Sequence, residues 1–199
     1  ADAYERVLTA KRIWSYSVCG EYILISIFDK TDKLLLLDGS GETVKEFPVD
    51  GKVCNIRSDF NSETGASCFV FEIVKGKKTK IGIVWENGEN GLTVVNDPTN
   101  CYDPDVCVQD SRIYVVYSAY DEGYYVYLTE FSFGLQAVEK VKISEAWGSS
   151  FSPSVCASED GGVYIVYHSA VIPDYVTYPA FFSDKYLKKR NIFTFTFSG

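Results

Sequence analysis

"FSPSVCASEDGGVYIVYHS", residues 151–169, has a near-parallel line earlier in the chain, "YDPDVCVQDSRIYVVYS", residues 102–118. Both run aromatic, polar, Pro, polar, Val-Cys, then a short polar turn and a dense Val/Ile/Tyr run. In "IYVVYS", strand alternation puts Ile113, Val115 and Tyr117 on one face and Tyr114 and Val116 on the other. Both faces are apolar, so this strand must be covered on both sides, as an inner strand is when sheets pack face to face.

The same grammar extends along the chain. Val-Cys recurs at Val18-Cys19, Val53-Cys54, Val106-Cys107 and Val155-Cys156, with Cys-to-Cys steps of 35, 53 and 49 residues. After each come a polar gap, an apolar strand ("EYILISIF", "SCFVFEIV", "RIYVVYS", "VYIVYHS") and a second hairpin. Steps near 40–50 residues match one four-stranded propeller blade. An aromatic stands five residues before the Cys in three copies (Trp14, Tyr102, Phe151), and Val49 holds that place in the second. The apolar runs are short and bounded by Gly, Asp, Asn, Ser and Pro, as in "DGSG" at 38–41 and "EDGG" at 159–162, with no helical period.

The expected fold is therefore all-β: a single-domain, four-bladed β-propeller of four repeats of roughly 45 residues. The repeats fall at about 14–50, 51–98, 99–147 and 148–199, after an N-terminal strand at 1–13. A many-stranded β-sandwich is the alternative. The strand-like ends, "AYERVLTAKRI" and "NIFTFTFSG", would pair to close the ring, or one of them would complete a neighbour's sheet in an assembly.

The stretch from Pro153 to Tyr167, "PSVC…DGGVYIVY", resembles the repeats of sialidase-like (BNR-type) β-propellers. Ser158, Asp160 and Gly162 fit the Asp-box of that family, whereas Tyr164 and Ile165 stand where it has Thr and Trp. The resemblance implies an arginine trio gripping a carboxylate, a Tyr nucleophile paired with an acid, and an Asp acid/base. The only arginines are Arg6, Arg12, Arg57, Arg112 and Arg190, and only Arg57 sits at the inner-strand level where such a grip is built. The sialidase constellation is absent.

Composition narrows the partners. Of the 199 residues, 46% are apolar, 23% charged and 16% aromatic, as in an ordinary globular chain rich in strand formers. A net charge of −8 argues against a nucleic-acid backbone as ligand. No apolar run is long enough for a membrane-spanning helix. Ala1 as the first residue, the lack of Met and the six cysteines fit a processed chain in an oxidising compartment. The expected location is extracellular, or a cell or virion surface.

Candidate chemistry is sparse. The one His, His168, cannot assemble the usual imidazole zinc sites. Cys19, Cys54, Cys107 and Cys156 would stand at equivalent heights, as packing residues, disulfide partners or a thiolate ring. Cys68 and Cys101 lack repeat equivalents and are the expected disulfide pair. No cofactor is expected; Ca²⁺ is the ion that acidic turns such as Asp103/Asp105 would take, but no loop spacing supports it. The ligand surface is expected from Trp14, Tyr16, Tyr102, Trp147 and Phe151, flat rings for stacking on a sugar, with Arg57, Asp103 and Asp105 among them. The function expected on these grounds is a non-catalytic extracellular binding or adhesion module, lectin-like, with a glycan or cell-surface protein as partner. A structural subunit of a self-assembling filament, layer or virion comes second. A glycan hydrolase, needing two placed carboxylates, comes last.

Overall fold

The computed structural model describes residues 12–86, 91–144, 149–158, 162–170 and 189–195. Fifteen strands form among them, in four antiparallel sheets built from consecutive strands. Blade 1 is β1 (Arg12–Cys19), β2 (Tyr22–Asp29), β3 (Thr31–Leu37) and β4 (Thr43–Phe47). Blade 2 is β5 (Lys52–Asn61), β6 (Ala66–Lys75), β7 (Lys78–Glu86) and β8 (Gly91–Val94). Blade 3 is β9 (Asn100–Gln109), β10 (Arg112–Tyr120), β11 (Tyr124–Ser132) and β12 (Ala137–Lys142). Blade 4 has β13 (Ser149–Ala157), β14 (Val163–Ala170) and β15 (Lys189–Phe195). This is the all-β, four-bladed propeller arrangement.

The two-faced apolar strands decide the packing. Leu24, Leu34 and Leu36 of blade 1 share a core with Phe69, Phe71 and Val84 of blade 2. Ile113, Val115 and Tyr117 pack with Cys68, Ile81 and Trp85 of blade 2, while Tyr114 and Val116 turn to Val155 and Ile165 of blade 4. Each fully buried Leu, Ile or Phe contributes about 1.5–3 kcal/mol relative to leaving it in water. Tightness shows at Gly82, where a Cβ would lie 2.3 Å from the Phe71 ring.

A buried polar knot pins the passage from blade 2 to blade 3. The Asp97 carboxylate accepts from Lys140 Nζ (2.6 Å), from the Thr99 amide (2.9 Å) and hydroxyl (2.8 Å), and from the Tyr117 phenol (3.3 Å). Burial works to raise its pKa, but Lys140 and Thr99 outweigh it and hold the carboxyl below its ordinary value.

Two expectations are corrected. First, only Cys107 and Cys156 occupy equivalent positions. The bulge in each inner strand sets the true register: Cys54, Tyr102 and Phe151 precede it, and Arg57, Asp105 and Ser154 follow it. Cys54 therefore lies at the level of Tyr102, where Val49 was expected to stand. Cys19 pairs with Tyr22 across a tight turn, as Gln109 pairs with Arg112, and so sits further along its strand. The four thiols are not at one height. Second, all six cysteines are free, Cys68 and Cys101 included. Both of these lie in the apolar core between blades 2 and 3, packed as small hydrophobes. Burial pushes the thiols of Cys101 and Cys107 up to about 12. The expected pairing of the two ends lies outside the described residues, which begin at Arg12 and end at Phe195; within them β1 is the innermost strand of blade 1 and β15 pairs with β14. Inner strands pack β1 to β5, β5 to β9 and β9 to β13, and no comparable contact joins β13 to β1 among the described residues.

Two measurements check this packing. With a thiol reagent on the native protein, Cys156, the exposed one, is expected to react first and the four buried thiols only on unfolding, giving six in denaturant. Fewer than six would reveal a disulfide. Asp97→Ala is expected to lower unfolding stability by roughly 2 kcal/mol, since it strips buried donors of their acceptor. Because the folded pKa is lowered, the Asp97 contribution is complete above the ordinary carboxylate range and lost as pH falls through the folded value. Denaturant melts of parent and variant should accordingly converge in acid.

Candidate functional site

The bulges that set the register also build the site. Asn55 (φ 52°), Asp103 (φ 51°) and Ser152 (φ 51°) hold the left-handed conformation at matching points of β5, β9 and β13. Asn, Asp and Ser are short polar residues, and the first two tolerate this backbone better than most. Pro104 and Pro153 follow in the bulge, where no ladder hydrogen bond is needed from their nitrogens. The kink swings three consecutive inner strands so that their polar side chains converge beside the axis.

They line a cleft of about 370 Å³ that includes Arg57, Asp103, Asp105 and Ser154. Asp105 Oδ2 accepts from the Ser154 hydroxyl (2.7 Å) and from the Val155 amide (3.0 Å). Both bonds fall on one oxygen. Asp103 Oδ2 accepts a single, longer bond from the Ser152 hydroxyl (3.2 Å). Glu72, reaching in from β6, is committed to structure: its Oε1 accepts from the Asp103 amide (2.8 Å) and from Asn55 Nδ2 (3.1 Å), which locks the bulge. No described carboxylate forms an ion pair with Arg57, although two line the same cleft. Among the described residues, no three His, Cys, Asp or Glu side chains gather at a point that would hold a metal ion.

An aromatic cavity of about 390 Å³ adjoins this cleft and shares Asp103 with it. Tyr102, Tyr124 and Phe151 wall it, with the Tyr102 and Tyr124 rings 6.0 Å apart and Tyr120 edge-on to Tyr124 at 5.2 Å. Burial, then the neighbouring Tyr124, pushes the Tyr102 phenol up, and the Glu72 carboxylate adds to the shift.

Of the expected ligand residues, Arg57, Asp103 and Asp105 meet in the cleft, and Tyr102 and Phe151 meet in the aromatic cavity. Trp14 and Tyr16 line neither. Trp14 donates Nε1–H to Asp32 (2.7 Å) and is flanked by Arg12 and Lys52. Tyr16 is 64% exposed, on the face of β1 opposite Ser15 and Ser17, which bond to β5. Trp147 lies outside the described residues. His168 pairs with Phe151 across the hairpin and meets its ring edge-on at 5.9 Å. Sequence reasoning missed Asn55, Glu72, Ser118 and Tyr124. Aligning β5 on β9 at the bulge would have found Asn55; nothing local marks the other three, which come from second and third strands.

No family model matches the chain, and no curated protein matches its sequence. Solved structures do resemble it. They include a thermostable family-43 glycoside hydrolase at 15% identity, spanning 81% of this chain and 67% of that one with a TM-score of 0.46. A family-43 endo-arabinanase from Bacillus licheniformis is similar at 11% identity, over 85% and 70%, with a TM-score of 0.47. An α-L-arabinofuranosidase from Lactobacillus brevis is similar at 14% identity, over 89% and 69%, with a TM-score of 0.49. At these values the likeness is one of strand arrangement and assigns no substrate. Against the expectation of a non-catalytic module and of no enzyme stand these similar structures, which are glycoside hydrolases, the class ranked last from sequence.

The two ways of removing Asp105 should differ. Asp105→Asn keeps an oxygen acceptor and is expected to fold with parent stability. Asp105→Ala leaves the Val155 amide unpaired and should cost about 1–2 kcal/mol. Urea unfolding of the two variants side by side checks this.

Proposed function

We propose that the chain cleaves glycosidic bonds in the axial cleft. The observation that carries the proposal is the placement of Asp103 and Asp105, on either side of Pro104 in one inner strand, in a single cleft beside an aromatic wall. Glycoside hydrolysis needs one carboxyl to protonate the leaving oxygen and one carboxylate to activate water or attack the sugar carbon. Asp105, fixed by two hydrogen bonds on Oδ2, suits the second role, with Oδ1 towards the substrate. Asp103, held by one longer bond and standing where the two cavities meet, suits proton delivery. Arg57 supplies a cation for substrate oxygens as charge develops. A sialidase-type reaction would need more guanidinium groups than Arg57 alone brings to this cleft. A polymeric glycan substrate would place the protein outside the cell or on its surface.

Release of reducing ends from a polysaccharide panel, arabinan and xylan among them, tests the reading. Turnover by the parent is expected on at least one, with kcat lowered roughly 100-fold or more in Asp103→Asn and in Asp105→Asn. A parent inactive on the whole panel, or activity that survives both substitutions, overturns it.

A further inference from the structure

The aromatic cavity has a chemistry of its own. Its walls are Tyr102, Tyr124 and Phe151, its rim carries the Glu72 and Asp103 carboxylates, and no Lys or Arg among the described residues lines it. Ser118, also in the lining, is wholly buried, and its hydroxyl has no hydrogen-bond partner. An unpaired buried hydroxyl is costly and is commonly satisfied by a ligand or an ordered water. Four rings elsewhere are covered by the protein's own cations: Arg12 and Lys52 on Trp14, Lys45 on Phe47, Lys140 on Tyr127 and Lys142 on Tyr125. Among the described residues Tyr102, Tyr124 and Phe151 have no such cation.

We propose that this cavity binds a protonated amine, so that the glycan entering the adjoining cleft carries an unacetylated amino sugar. The proposal rests on the glycoside-cleaving reading of that cleft. An alkylammonium has three N–H donors and no acceptor. It would give one to Ser118 Oγ, one to a rim carboxylate, and its charge to the electron-rich ring faces. A neutral hydroxyl could satisfy Ser118 and donate to one carboxylate, but it would bring no charge to balance the two carboxylates. A carboxylated sugar would be repelled by them.

The test is calorimetric binding to the full chain carrying Asp105→Asn, which stops turnover without touching the cavity. The probes are a β-1,4-linked glucosamine tetramer, its N-acetylated form and cellotetraose, at mildly acidic pH where the amine is charged. The glucosamine tetramer is expected to bind at least tenfold more tightly than the other two, and Tyr124→Ala, a change at a half-exposed ring, to weaken it at least fivefold. Equal affinity for the three sugars overturns the proposal, and so does amine selectivity that Tyr124→Ala leaves intact, which would place the amine elsewhere on the acidic surface. Cleavage of neutral glycans with no preference for amines would remove the amine subsite and leave the cleavage reading standing. Amine-selective binding by a parent that cleaves nothing does the reverse.

Discussion

Successive blades are joined by one repeated contact: a side-chain acceptor on an inner strand takes the backbone N–H of the next inner strand. Ser15 Oγ accepts from the Ile56 amide at 3.0 Å, Asp59 from the Val108 amide at 2.7 Å, and Asp105 from the Val155 amide at 3.0 Å. Inner strands of neighbouring blades belong to different sheets, so their edge amides have no ladder partner. A half-buried amide without a partner is destabilising, and the chain answers with Ser or Asp at the facing position. The apolar clusters between blades supply most of the stabilising burial. The acceptor–amide contact fixes how far one blade slides along the next.

The candidate site grows out of the same constraint. Asp105 holds blade 4 in place and also lines the cleft, so a structural joint and a proposed catalytic carboxylate are one residue. Glu72 extends the arrangement by fastening the Asp103 bulge from the second strand of blade 2. A glycosidase reading draws on this rigidity, since carboxylates act on a sugar only when their spacing is held. The aromatic cavity beside them is walled by blades 3 and 4 with a rim from blade 2, so it exists only when three blades are docked.

Much of this was legible along the chain, and unevenly so. The echo between 102–118 and 151–169 is true to the residue, because both inner strands carry the same bulge, with Pro104 matching Pro153 and Cys107 matching Cys156. The two faces of "IYVVYS" also pack as alternation requires. The first two Val-Cys pairs misled. A dipeptide match ignores the bulge, and shifting register across a bulge changes which residues share a level. The cysteine count pointed to an oxidising compartment, yet every thiol is free, because a buried Cys packs well as a small apolar side chain. The cleft was half legible. Arg57, Asp103 and Asp105 lie on inner strands that the repeat marks, whereas Glu72, Ser118 and Tyr124 come from later strands that no repeat position distinguishes.

By itself, then, the sequence determined strand and turn and pointed to the blade: short apolar runs between Gly, Asp and Pro, several of them apolar on both faces, make strands that must be covered on both sides. Only the tertiary structure decided which acceptor meets which amide, which residues share a level around the axis, and which carboxylates stand in one cleft. Those relations join residues some 40–50 positions apart across separate sheets, where side-chain direction depends on bulge and blade register rather than on any local pattern.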